Sequence, residues 1–311
     1  MKVCVSVDLD NYQEYQRLVD PGATDAARSF FDEALPRFLD RFDRHGLRAT
    51  FFLIGRDAAR PSHRALLREI CARGHELGNH SWSHPHNLRA LSRAAKEQEI
   101  AQGEAALADA VGQRPVGFRT PSVDVDGEVL GILAERGYHY DSSIIPSPLM
   151  WVFMLYGRLF VRESDYQLGL WRTPLAPARP YWPDLRAIHR ERRMPDPGAA
   201  LLELPVSVTP LLRLPYYGTL WRLLGPRAFA SALRRHRGAD GAAHLMLHLL
   251  DLVDWRGSPL GDALARAPGV AVSFERRRRF VDGAAAALAA HGEPATLREV
   301  AAEWRAARGL Q

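Results

Sequence analysis

The amino-acid sequence predicts an α/β fold in which parallel strands are covered by helices. Apolar runs rich in β-branched and aromatic residues alternate with amphipathic segments of helix length, which is the pattern of strand–helix units. Gly46, Gly74, Gly112 and Gly137 stand where helix ends need a left-handed residue. The residues able to do chemistry fall at or just after strand C-terminal ends, where α/β barrels place their active sites.

Taken in order, the apolar run Val3 to Val7 is the first strand, and an amphipathic helix is expected from about 24 to 45. Ala49-Thr50-Phe51-Phe52-Leu53 marks a strand over 49–54, and a helix over 62–73 ends at Gly74. Strands over 75–79, 116–120 and 138–142 then alternate with helices over 92–111 and 126–136. Between about 144 and 200 the periodicity gives way to an irregular, Pro-rich and aromatic insertion. The strand pattern resumes at Leu201 to Val208, followed by a helix near 219–237 and a strand over 244–250. Helices near 276–291 and 297–307 close the chain. A single catalytic domain over 1–311 is expected, with the insertion serving as a lid.

Inside the insertion, Met150 to Tyr156 is far shorter than the roughly 20 apolar residues that span a bilayer. No transmembrane segment is expected, and this run is expected to cover the barrel mouth on the substrate side. A sharper alternative is an interfacial patch meeting a membrane surface and a lipid-linked substrate, helped by Trp171, Tyr181 and Trp182.

The 311 residues, 47% hydrophobic, suffice for one large core. A net charge of +5 invites a nucleic-acid reading. Arginine is nevertheless scattered along the chain and lysine occurs only at Lys2 and Lys96, so a nucleic-acid partner is not expected. The run Arg276 to Arg279 is read as a solvated helix start, with a phosphate or membrane contact as second choice. Cys4 and Cys71 show no ligand or disulfide pattern and are read as small hydrophobes. The chain opens directly on a strand, so no cleaved signal is expected and the location is expected to be cytoplasmic. Asn79-His80-Ser81 matches a glycosylation acceptor only formally. Phosphate-cradling loops, serine-nucleophile elbows and zinc-finger spacings are absent from the sequence, and oligomeric state is not legible in it.

His80-Ser81-Trp82-Ser83-His84 places two imidazoles four positions apart on one turn, able to grip one metal ion. Upstream, the strand Val5-Ser6-Val7-Asp8-Leu9-Asp10-Asn11 ends in two carboxylates that a bend would bring into one cleft. Two histidines and one carboxylate leave coordination positions open, the pattern of a catalytic metal site. Zn²⁺ is the first choice, and Co²⁺, Ni²⁺ or Fe²⁺ are tolerated by the same donors.

These pieces, with Arg119-Thr120-Pro121 and Leu245-Met246-Leu247-His248 following in order, resemble the polysaccharide deacetylase family, carbohydrate esterase family 4, also termed NodB-homology deacetylases. The resemblance is dense over about 1–145 and loose over 200–300. It implies a distorted, incomplete (β/α) barrel and a metal-dependent hydrolase of carbon–nitrogen bonds. Asp10, His80 and His84 would hold the metal. Asp8 would take the proton from the attacking water, and Arg119 beside it would favour its charged form. His248 would protonate the leaving amine, and a backbone N–H near Ser122 would help hold the oxyanion. Pro121, Asp141 and Asp251 complete the set as residues behind the site or against substrate.

Each of these residues also has a plainer reading. His248 alone would be a rim or core histidine, and Asp141 a strand-end cap rather than a residue orienting His or Arg. His86, after Pro85, is read as a surface or rim residue, and His75 and His45 as structural. Glu203 in an apolar strand should pair with an arginine or face the cleft.

The sequence departs from the family pattern where Leu9 separates the two acids, where Asn11 stands for the usual Gly, and where Ser122 stands for the usual aromatic. The expected function is therefore removal of an N-acetyl group from an amino sugar in a glycan, nucleotide-linked or lipid-linked precursor. The alternatives are hydrolysis of a formamide or cyclic imide, and carbohydrate binding without turnover.

Overall fold

A computed structural model of the protein describes residues 1–19, 29–160, 167–192, 201–236, 242–256, 260–261 and 272–309. Its strands are β1 (Lys2–Asp8), β2 (Ala49–Leu53), β3 (Glu76–Asn79), β4 (Gly117–Phe118), β5 (Tyr140–Asp141), β6 (Pro183–Asp184), β7 (Ala187–Glu191), β8 (Leu202–Glu203), β9 (Ala242–His248) and β10 (Glu293–Pro294). β6 and β7 form a separate antiparallel hairpin, and every other pairing between strands is parallel. One edge of β1 is taken along its length by β9, and the other is shared by β10 and β2. From β2 the sheet continues through β3, β4 and β5 to β8.

The two ends of this curled sheet meet at one place. Ser207 N–H donates to the His244 carbonyl at 3.2 Å, and His244 N–H donates to Ser207 Oγ at 2.9 Å. No ladder joins β8 to β9 among the described residues. The architecture is thus the distorted, incomplete (β/α) barrel expected from the sequence.

The helices are α1 (Tyr12–Val19), α2 (Phe31–Arg44), α3 (Gly55–Ala58), α4 (Arg64–Ala72), α5 (Arg93–Val111), α6 (Gly127–Glu135), α7 (Leu149–Phe160), α8 (Gly218–Leu224), α9 (Pro226–Arg235), α10 (Phe274–His291) and α11 (Leu297–Ala306). Local chemistry sets their ends. Ser92 Oγ accepts from Ala95 N–H at the start of α5, and Asp126 Oδ1 accepts from Val129 N–H at the start of α6. Gly46, Gly74, Gly112 and Gly137 all have positive φ, as the helix ends require. The part of the expected first helix over 24–28 lies outside the described residues.

Several expectations need correction. The helix expected near 219–237 is two helices, because Gly225 at φ +91° turns the chain and Pro226 lacks the N–H to continue it. The strand expected over 244–250 leaves the ladder at His248, where a capping box opens a 3-10 turn over Leu249–Leu252. The insertion is more ordered than expected: it holds α7 and the β6–β7 hairpin. The expected patch partners Tyr181 and Trp182 are buried, Tyr181 bonding Ile188 O at 2.6 Å and Trp182 packing on Trp304, while Trp171 is exposed. The Arg276 to Arg279 run is not uniformly solvated. Arg277 is buried, 3.3 Å from the Trp255 ring centre, and donates to Val253 O and Val272 O.

Candidate active site

Asp8 and Asp10 enter one cleft because β1 ends at Asp8 and the backbone then bends. Leu9 N–H still donates to Phe52 O at 2.9 Å, while Asn11 fastens the turn. Its Oδ1 accepts from Tyr12 N–H and Phe30 N–H at 2.8 and 2.7 Å, and its Nδ2 donates to Asp57 Oδ1 and Ser29 Oγ. These bonds use every polar group of the amide, and that is the physical use of an Asn at this position.

The His80–His84 turn is held as tightly. Ser81 and His84 have φ of +63° and +56°, strained for side chains with a Cβ. Ser81 Oγ accepts from His84 N–H, and Glu99 on α5 accepts from Trp82 N–H, Ser83 N–H and the Ser83 hydroxyl. α5 comes this close only because residue 103 is glycine: a Cβ there would lie 2.4 Å from Asn79 Oδ1. Arg17 on α1 adds a bond to His84 O at 3.0 Å. Asn79 itself is buried, donating to Ile100 O and Tyr138 Oη, which removes it as a glycan acceptor.

The result is a compact donor set. His80 Nε2 lies 3.3 Å and His84 Nε2 3.2 Å from Asp10 Oδ1. One donor atom from each of the three residues falls within 4.8 Å of the others. His80 Nδ1 meets the Arg119 carbonyl at 2.7 Å, which aims Nε2 at Asp10. Asp10 Oδ1 is buried yet accepts no hydrogen bond. Ligands about 2.0 to 2.1 Å from one tetrahedral centre are about 3.4 Å apart, so these residues fit a divalent cation.

The electrostatics agree with that fit. Burial alone would raise the Asp10 carboxyl, but the two imidazoles hold it well below the usual carboxylate range. Burial pushes His84 down to about 3, leaving a neutral ring with a lone pair to offer. Burial opposes a charge on His80 too, but Asp10 and Asp8 raise it above its ordinary value, so a bound cation would displace its proton.

Arg119 is fully buried and organises the adjoining wall. Its Nη1 donates to Asp8 Oδ1 at 2.6 Å and Ser6 Oγ at 2.9 Å, Nε donates to Ser142 O, and Nη2 to Ser142 Oγ. Ser6 Oγ also meets His244 Nε2 at 2.8 Å, so the Ser6 hydroxyl donates to a neutral His244. Burial keeps that ring neutral, pushed down to about 3. His248 Nε2 faces both Asp8 Oδ2 and Asp10 Oδ2 at 3.9 Å. Its side chain accepts from the Asp251 N–H, so the ring proton is directed to Nε2 on the cleft side. The Asp251 carboxylate bonds His248 N–H at 3.0 Å and Arg222 Nη1 at 2.6 Å, while Tyr217 packs edge-on against the His248 ring at 5.4 Å.

Asp8, Asp10, His80, His84, Arg119 and His248 therefore converge, with Asp251 behind His248. Pro121 and Ser122 form a turn beside them in which Ser122 has φ +54°. Asp141 does not reach a histidine or Arg119. It accepts from Ser143 N–H and Oγ, and Ser143 Oγ in turn accepts from Thr120 N–H. Glu203 neither pairs with an arginine nor faces the cleft. It bonds Asp141 and accepts from Ile144 N–H, and burial together with the neighbouring carboxylate raises it well above the carboxylate range. His86 is buried against His84, ring centres 5.0 Å apart, and is not a surface residue. Ser6, Asn11 and Glu99 were not singled out in the sequence for the contacts they make. Only Asn11, a turn-forming residue directly after the two acids, carried a signal.

Comparison with known proteins places this geometry. Residues 20–140 match the family model described as polysaccharide deacetylase, a span holding His80, His84 and Arg119. A chitin deacetylase of Pestalotiopsis sp. is 32% identical over 102 residues, 32% of this chain and 34% of that one. A peptidoglycan-N-acetylglucosamine deacetylase of Bacillus cereus is 34% identical over 98 residues, 32% of this chain and 33% of that one. A peptidoglycan deacetylase of Helicobacter pylori is 26% identical over 155 residues, 49% of this chain and 52% of that one. The chain thus spans about a third to a half of the length of these curated relatives. A candidate polysaccharide deacetylase from Mycobacterium smegmatis shares the fold, with a TM-score of 0.60 and 21% identity over 100% of this chain and 91% of that one. Motif order, barrel and cleft agree with that match: over residues 20–140 the chain is similar to the polysaccharide deacetylase family.

Proposed function

We propose that the protein hydrolyses the amide of an N-acetylated amino sugar with the help of a divalent cation held by Asp10, His80 and His84. One observation carries this reading: a buried, unbonded Asp10 oxygen between two imidazoles, directly beside an Arg119-anchored Asp8 and the Nε2 edge of His248. A bound cation would supply Lewis-acid polarisation of the amide carbonyl.

The chain's own residues would do the rest. Arg119 and Ser6 hold Asp8 so that Oδ2 faces the cleft, where it accepts a proton from the attacking water. His248 presents Nε2 to the leaving nitrogen and delivers the proton that lets the C–N bond break. A backbone N–H in the positive-φ turn at Ser122 would help hold the developing oxyanion. A binding protein would need neither the base nor the acid. The names of the relatives favour acetylated amino sugars over formamides and cyclic imides.

α7 favours a particular carrier for that sugar. Its inner residues Met150, Phe153 and Met154 pack with Val123 and Tyr217, close to His248. Its outer face leaves Val152, Leu155 and Leu159 exposed, beside exposed Trp171. An aliphatic stripe at the cleft mouth suits a lipid-linked precursor presented at a membrane surface.

The test is release of acetate and formate, read separately, from N-acyl sugars, nucleotide sugars and lipid-linked sugars, with and without chelator. Acetate release that stops on chelation and returns with Zn²⁺ or Co²⁺ is expected. Silence from the metal-loaded protein across the panel would sink the proposal.

A further inference from the structure

A groove of about 1100 Å³ lies outside the cleft and is lined by none of the residues that converge there. The loop after Thr173–Leu175, the chain around Arg213 and the end of α9 form its walls. Three arginines and two histidines line it, and among the described residues no carboxylate does. Asp184, the acid acting on His189, stays outside the lining. Arg234 and Arg235 stand in the last turn of α9, where cations answer the helix dipole and need no further reason. Arg213 is different. Burial pushes its guanidinium down, and no acid among the described residues holds it up. Its Nη2 donates to Ala176 O and its Nε is closed in without a partner, which leaves Nη1 open for a ligand. A half-buried cation without a counter-charge suits an anion that comes from outside the chain.

The turn that carries Arg213 holds its apolar side chains in water. Thr209 N–H donates to Leu214 O at 2.9 Å, Leu214 N–H to Thr209 Oγ1 at 3.0 Å, and Arg213 N–H to Thr209 O at 3.1 Å. Inside this closed turn Leu211 and Arg213 have φ of +63° and +49°, strained for residues with a Cβ. Leu211 and Leu212 are left 98% and 73% exposed, more than any other large apolar side chain among the described residues. Exposed Leu175 lines the same groove. Its short helical turn follows Trp171, which packs on Trp151 of α7 with ring centres 5.9 Å apart. The apolar rim thus continues through Trp171 to the exposed face of α7. A soluble anion needs the arginines but no leucines held in water. A bilayer surface supplies both partners, phosphates for the arginines and acyl chains for the leucines.

We propose that the groove binds the phosphate of an anionic membrane phospholipid, with Leu211 and Leu212 entering the lipid beside it. Arg213 takes the phosphate through Nη1, and Arg234 and Arg235 add charge at the edge. An arginine carried on a closed turn loses little freedom when the phosphate arrives. The inference goes beyond the proposed reaction and rests on no step of it. It gives the protein a lipid contact separate from the cleft mouth.

Sedimentation of the full chain with vesicles of phosphatidylcholine and phosphatidylglycerol in equal parts tests this at physiological salt. Arg213→Gln should weaken binding about five- to tenfold, against less than about twofold for Arg44→Gln, an exposed arginine outside the groove. Leu211→Ser with Leu212→Ser should also weaken binding while leaving its fall with added salt unchanged. Should Arg213→Gln melt early, Arg234→Gln with Arg235→Gln repeats the charge test on exposed side chains at the end of α9. Equal losses from the groove and Arg44 variants would reveal general charge attraction and overturn the site, as would wild-type binding in the leucine variant or none in the wild type. Displacement of the wild type from the vesicles by inorganic phosphate, at the phosphate concentration of the lipid, would assign the groove to a free anion and overturn the lipid. Sedimentation is read whether or not the protein releases acetate, so the groove and the deacetylase reading fail separately.

Discussion

Arg119 Nη1 sits 2.6 Å from Asp8 Oδ1 inside a fully buried pair, and the same nitrogen bonds Ser6, whose hydroxyl continues to His244. Breaking such a pair leaves a charge without compensation, at a cost of about 3 to 5 kcal/mol. Arg119→Leu should therefore unfold at markedly lower urea concentration and lose turnover. Arg119→Lys should restore little, since an ammonium cannot meet Asp8, Ser6 and both Ser142 oxygens at once. Wild-type denaturation midpoints in Arg119→Leu would show that the pair does not hold the barrel wall.

Removing a donor from the cation site should separate metal loss from unfolding. His84→Ala should bind less than a tenth of the wild-type metal, measured by elemental analysis after dialysis, while keeping its circular dichroism. Chelation of the wild type should lower its melting temperature, because a ligand bound only by the folded chain stabilises it by mass action. Full metal occupancy in His84→Ala would remove that residue from the donor set.

Stability should depend on pH in two opposed ways. Burial pushes His75 down to about 4 and His244 to about 3, so between those values and about 6.5 the unfolded chain binds more protons than the folded one. Stability is then fully present above about 6.5 and falls below it, by about 1.4 kcal/mol per pH unit for each group. Glu203 works the other way. Its raised value means the folded chain keeps a proton that the unfolded chain releases, so stability falls as pH rises above the ordinary carboxylate range. Glu203→Gln should remove that decline and be at least as stable as wild type at pH 8, measured by urea titration. A variant clearly less stable at pH 8 would show that the charged form is the one the fold needs.

The exposed stripe on α7 makes a separate prediction. The protein should co-sediment with vesicles containing anionic lipid, and Leu155→Asp with Leu159→Asp should reduce that fraction several-fold without changing turnover of a water-soluble sugar. Equal sedimentation of both proteins would remove α7 from membrane contact.

Much of the barrel was legible because its strands are buried on both faces and its helices end at glycines, two signals that are local. The convergence of Asp8, Asp10, His80, His84, Arg119 and His248 was legible only through motif order, since contact between Asp8 and His248 is made by strand pairing across 240 positions. α7 was missed because it is apolar on nearly every side, so no stripe with helical period stands out against a polar face. The Asp141–Glu203 pair was misassigned because a sequence cannot show that two acids will share a proton in a dry site. Glu99 acts through a long side chain thrown across from a neighbouring helix, and its position has no local pattern that marks it.

Asn11 spends its whole amide on tying the chain directly after Asp10 to α1, to the turn before α2 and to α3. The loss of conformational freedom at that corner is accordingly borne when the chain folds, not when an ion or substrate arrives. A carboxylate fixed in advance discriminates by geometry: an ion that fits loses nothing to rearrangement, and one that does not must deform four hydrogen bonds. For the proposed cation, selectivity would thus begin in a residue outside the donor set of Asp10, His80 and His84.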